Sequence, residues 1–148
     1  MDALEIVKEA RALLSTPEHW TKGEFAYDES GEPVAPVDDS AVCFCLMGAI
    51  ERVADVTYFS QHHTRHREGS EPGLQEIRRI DSILHQVIET ISGEEAIDTF
   101  NDHEERKHED ILEVLDKTIA VLTEDAARAV AAQVIAPQDP DQPVKVAP

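Results

Sequence analysis

The chain has 148 residues, with 31 acids against 13 lysines and arginines and a formal charge of −18. Direct gripping of nucleic-acid phosphates or of an anionic membrane needs clustered Lys and Arg, so neither partner is expected. Hydrophobic residues make up 41% of the chain but aromatic ones only 5%, which points to one core of Leu, Ile, Val and Ala, as in a small helical protein. No apolar run approaches the ~18 residues of a membrane span, and Asp2 and Glu5 stand where a signal peptide would be basic. A cytoplasmic protein is expected. Cys43 and Cys45, two apart, are too awkwardly placed for an ordinary disulfide and are read as free thiols.

In chain order, residues 3–14 place Leu4, Ile6, Val7, Ala10, Leu13 and Leu14 at helical spacing, and Pro17 stops that first helix. Trp20 to Gly23, the Phe25-Ala26-Tyr27 piece and the turn at 28–31 suggest a small β-hairpin or irregular flap, with Trp20 as a hydrophobic plug. The most apolar stretch, 41–54, is read as a buried central helix. Asp38, Asp39 and Ser40 would cap it, Val42, Cys45, Leu46, Ala49, Ile50 and Val53 would form its stripe, and Glu51 would point away. Gly48 inside that helix predicts the close approach of another backbone.

Residues 60–73 form a polar loop, after which Leu74, Ile77, Ile80, Ile83, Leu84, Val87, Ile88 and Ile91 recur at threes and fours. A short helix is expected over 94–100, and a last strong one from near Glu104 to Leu122. Thr123-Glu124-Asp125 reads as a fresh N-cap for an alanine-rich extension to about Ile135. The fold class expected is mostly α: a single-domain bundle of four to five helices over residues 1–135, with the flap between the first two. Residues 136–148 would be a disordered proline-rich tail.

Three segments carry a resemblance: Trp20 to Gly23, Phe44-Cys45-Leu46-Met47-Gly48-Ala49, and Phe100-Asn101-Asp102 followed by the Ile111–Leu115 run. In this order and spacing they resemble an uncharacterised family of short bacterial and phage proteins, over roughly residues 3–122. Two positions depart from that pattern, Phe100 standing where a Trp is usual and His108 where a Thr is. The resemblance implies a fold and no activity.

The residue types for cysteine chemistry are present. Cys45 or Cys43 could serve as nucleophile with His103 or His108 as base and Asn101 or Asp102 as orienting group, making a hydrolase or transferase. The structural reading is favoured: Cys45 lies on an apolar stripe, and Asn101 and Asp102 precede a helix, where such residues cap free N–H groups or bridge a turn. His62 and His66, four apart, could grip a transition metal with His63, His85 or a carboxylate, and the His103, Glu104, His108 group raises the same idea. No Cys-x-x-Cys or His-Glu-x-x-His pattern supports either, and no cofactor is expected. The acidic positions Glu104, Glu105, Glu109, Asp110, Glu113 and Asp116 read as a solvated helix face, with mimicry of DNA phosphates towards a basic protein as the sharper alternative. The leading functional expectation is a non-enzymatic cytoplasmic accessory protein, bacterial or phage-encoded, acting through a protein partner or by self-association. A cysteine hydrolase and a metal binder are the alternatives.

Overall fold

The computed structural model describes residues 1–60 and 71–135. Helix α1 (Ala3–Leu14) starts on a reciprocal cap: the Asp2 carboxylate accepts from Glu5 N–H at 2.8 Å while Glu5 accepts from Asp2 N–H at 3.1 Å. Its inward face is Ala3, Ile6, Val7, Ala10 and Leu14. A single 3-10 turn, Pro17–His19, then leads to two short antiparallel strands, β1 (Ala26–Tyr27) and β2 (Cys43–Phe44). Ala26 lies opposite Phe44, and Tyr27 opposite Cys43. The flap between the first two helices is therefore a two-stranded sheet.

The central apolar run divides into two elements. Its first part is β2, and helix α2 begins only at Leu46 and ends at Ala54. Cys43 and Phe44 are claimed by pairing with β1, which is continued by a Cys45 N–H to Phe25 carbonyl bond of 3.1 Å. Cys45 becomes the N-cap, its sulfur accepting from Gly48 N–H at 3.3 Å. Asp38 instead closes a local turn by accepting from Ser40 N–H and Oγ–H. Val42, expected on the buried stripe, is exposed.

Helix α3 (Glu71–Ser92) begins three residues before the expected start at Leu74 and buries Ile77, Ile80, Leu84 and Ile88 completely. The short helix is α4 (Ile97–Asp102), shifted towards the C-terminus from its expected place, with Ile97, Phe100 and Asn101 inward. Helix α5 runs unbroken from His108 to Ile135. The expected restart at Thr123 does not occur, because the Thr123 hydroxyl donates to the Ile119 carbonyl one turn back and stays within the helix. Helix α1 packs against α2 and α5, α3 against α5, and α4 closes the ends of α2 and α3. Burying each Leu or Ile side chain of this core contributes about 1.5–3 kcal/mol. Among the described residues no helix is long and apolar enough to cross a membrane. The proposed proline-rich tail at 136–148 lies outside the described residues.

Glu51 turns inward, against expectation, and is fully buried. Its carboxylate ties down the turn after α2, accepting from Tyr58 N–H at 3.0 Å, from Ser60 N–H at 2.8 Å and from the Ser60 hydroxyl. Burial raises its pKa above the ordinary carboxylate value, and those hydrogen bonds oppose the rise. A folded-state pKa above the unfolded one means that the folded chain holds the proton more tightly. Between those two values stability from this group falls as pH rises. Glu51→Gln keeps the shape and the acceptor while removing the charge. We therefore expect it to be neutral or stabilising at pH 8 and to flatten this part of the pH dependence, whereas Glu51→Ala should cost about 2–3 kcal/mol. Urea titrations of both variants at several pH values measure this.

Candidate functional site

The polar centre of the molecule is Asn101, on the last turn of α4 and fully buried. Its Oδ1 accepts from the Trp20 indole N–H at 2.9 Å and from the Leu46 backbone N–H at 3.0 Å. Its Nδ2 donates to the Thr21 carbonyl at 3.1 Å and to Asp102 Oδ1 at 2.9 Å. A side-chain amide has two donor hydrogens and two acceptor lone pairs, and here all four are used by the chain itself. Asp102 extends the grip by accepting from Gly23 N–H at 3.0 Å. Gly23 has φ +96, a left-handed value open to glycine, which lets its N–H face that carboxylate.

The three segments singled out in the sequence thus meet in one place. The Trp20–Gly23 turn, the start of α2 and the end of α4 are clasped together, although Asn101 lies 81 residues from Trp20 and 55 from Leu46. Asn101 and Asp102 do not precede a helix as expected but finish one. What Asn101 caps is the distant α2, whose own N-cap sulfur is a weak acceptor. Trp20 is half-buried as a plug and also donates a hydrogen bond. The clasp is buttressed by residues that the sequence did not mark out. Lys22 Nζ donates to the His103 carbonyl at 2.7 Å and lies 5.5 Å from the Trp20 ring centroid. The Arg106 guanidinium stacks 3.7 Å from the Phe100 ring centroid and donates to the Phe100 carbonyl at 2.8 Å. A basic side chain in a loop, such as Lys22 or Arg106, carries no sequence signal for such a role.

The thiols differ in setting. Cys45 is only 4% exposed, and burial pushes its pKa up to about 12, with the carboxylates of Asp102 and Glu51 adding to the rise. The hydrogen bond from Gly48 N–H acts the other way and is outweighed. Cys43 is half-buried on β2. Among the described residues neither thiol hydrogen-bonds a histidine. His103 Nδ1 accepts from Glu105 N–H at 3.1 Å, and His108 donates its Nε2–H to the Leu14 carbonyl, fixing the start of α5 to the end of α1. The two rings are thus engaged by backbone groups.

Among the described residues no group of three His, Cys, Asp or Glu side chains is arranged to hold a metal. The candidates His62, His63 and His66 lie outside the described residues, and His85 faces Asp81 at 3.2 Å and the Glu95 carbonyl at 2.8 Å. No curated protein and no solved structure matches the chain. The model of DUF6197, a family of unknown function, matches residues 1–121, which takes in α1, both strands, α2, α3, α4 and the first half of α5. The chain, with its clasp inside the matched region, belongs to that family.

Proposed function

We propose that this is a non-catalytic accessory protein of the cytoplasm that works by holding a protein partner, its clasp being scaffold. One observation carries the reading: every hydrogen-bonding position of Asn101 is occupied by the chain's own groups, leaving none to orient a substrate or a base. The setting of Cys45 supports it. A nucleophilic thiol is activated where a cation or a helix N-terminus lowers its pKa. Cys45 does stand at the start of α2, but burial and two carboxylates outweigh the N–H groups there and raise its pKa.

Alkylation of the native chain by iodoacetamide at pH 8 tests this. With a pKa near 12 the thiolate fraction of Cys45 at that pH is about one in ten thousand, so it should stay unmodified until denaturant is added. Cys43 serves as the partly accessible reference. In parallel, Cys45→Ser and Asp102→Asn should lower stability while the folded variants still capture the partner. Selective modification of either native cysteine at rates above a free thiol would sink the proposal, since that is the signature of an activated nucleophile.

A further inference from the structure

Helix α5 has two opposite faces. At about 100° per residue, Ile111, Val114, Leu115, Thr118 and Leu122 share one side, and all are buried. The opposite side begins with a shallow groove of ≈ 430 Å³ lined by Glu109, Leu112, Glu113, Asp116, Lys117 and Ala120. The same side continues past the bundle through Ala127 and Ala131 to Val130 and Val134, which are 61% and 79% exposed. The valines sit away from the core face, so the bundle does not account for them. They are also poorer helix formers than the alanines around them, so helix propensity does not account for them either. They lie beyond residue 121, where the family match ends.

We propose that this outer face of α5 is the docking surface for an amphipathic helix of a partner protein, basic where it meets the first half and apolar where it meets the second. The proposal rests on the interaction reading above and names its surface. Charge selects the occupant. Along the face Glu109, Glu113, Asp116 and Glu124 stand against Lys117 and Arg128, the latter 3.7 Å from Glu124, in a chain of net charge −18. Arg11 pairs with Asp116 at 2.9 Å and Lys117 with Glu113 at 3.8 Å, while Glu109 has no ion-pair or hydrogen-bond partner among the described residues. A second copy laid parallel would set carboxylate on carboxylate. Laid antiparallel, it would bury the carboxylates of one copy against the valines of the other. Either arrangement sets Glu109 against a carboxylate or a valine and desolvates its charge without a partner. A foreign helix with Lys or Arg towards Glu109 and Glu113, and with apolar residues towards Val130 and Val134, satisfies both halves.

The probe is a fluorescein-labelled synthetic Lys/Leu/Ala amphipathic helix of about 20 residues, titrated with the full chain in 0.15 M salt and followed by anisotropy. We expect Glu109→Gln with Glu113→Gln, and separately Val130→Ser with Val134→Ser, each to weaken binding about tenfold or more. Glu29→Gln with Glu32→Gln removes the same charge from the flap and should change affinity by less than about twofold. Circular dichroism confirms that each variant is folded. Absence of binding at about 0.1 mM, equal losses in the face and flap pairs, or indifference to the valine pair would each overturn the proposal. So would a concentration-dependent dimer abolished by the valine pair, which assigns the face to a second copy. Equal variant dependence for a labelled peptide of residues 136–148 would assign it to this chain's own terminus. Any of these outcomes with an unreactive Cys45 removes this surface but leaves the interaction reading, whereas a reactive thiol removes that reading itself.

Discussion

Asn101→Ala is expected to lower the unfolding free energy by about 3–5 kcal/mol, a large share of the about 5–15 kcal/mol available to a domain of this size. Truncation strips the acceptor from the Trp20 indole and from the first N–H of α2, and the donor from the Thr21 carbonyl. The site is fully buried, so water does not replace them cheaply, and each orphaned group costs about 1–3 kcal/mol. Asn101→Asp separates the role of charge from that of shape. The new carboxylate retains the Oδ1 acceptor, but its other oxygen faces the Thr21 carbonyl and Asp102 Oδ1, which were 3.1 and 2.9 Å from Nδ2. Two acceptors and a like charge favour the protonated form, which raises the folded-state pKa. Stability of this variant is therefore lowest at pH 8 and recovers on acidification towards about pH 5, where the proton can donate to Asp102 or Thr21. Urea unfolding at both pH values measures the effect. A loss under about 1 kcal/mol for the alanine variant would mean that the clasp does not hold the three segments together.

Gly48→Ala should be nearly as damaging, against the usual sign for a helix. Replacing an interior helical glycine by alanine ordinarily gains about 1 kcal/mol. Here a Cβ would stand 2.0 Å from the Phe25 carbonyl oxygen and 2.9 Å from its carbon, both backbone atoms that no rotamer change can move aside. Relief requires β1 to retreat from α2, and the same Phe25 carbonyl accepts from Cys45 N–H at the junction of strand and helix. Overpacking and the weakened hydrogen bond together outweigh the gain, for a net loss of about 3 kcal/mol and a fall in Tm of roughly 10 °C. Thermal melts followed by circular dichroism decide it. An unchanged or higher Tm would show that the two backbones are not in contact.

The parts of the fold that local pattern could decide were legible. Helix α3 announced itself because its isoleucines and leucines recur at threes and fours for five turns, and nothing distant competes for them. The close approach at Gly48 was legible as well, since few other reasons put glycine inside a buried helix. The run from Ala41 to Ile50 was not, because a short apolar stretch has the same look in a strand and in a helix. The choice fell to β1, whose pairing takes Cys43 and Phe44 before α2 can start. Glu51 misled for a related reason: a charged residue in a helix normally faces water, and only the turn at 58–60 explains why this one does not. Trp20, Asn101 and Asp102 could be picked out as a set, but bonds across 55 and 81 residues leave no local periodicity, so Trp20 read as a plug and Asn101 and Asp102 as helix caps or turn bridges. Thr123-Glu124-Asp125 imitated a cap for the opposite reason, its hydroxyl being satisfied within the helix it was expected to start.

The clasp also bears on how the chain reaches its native state. Because it joins segments so far apart in sequence, closing it costs loop entropy that is recovered only once the bundle has assembled, which places it late on the folding route. Trp20 is the chain's single tryptophan, so indole fluorescence reports that last docking step directly.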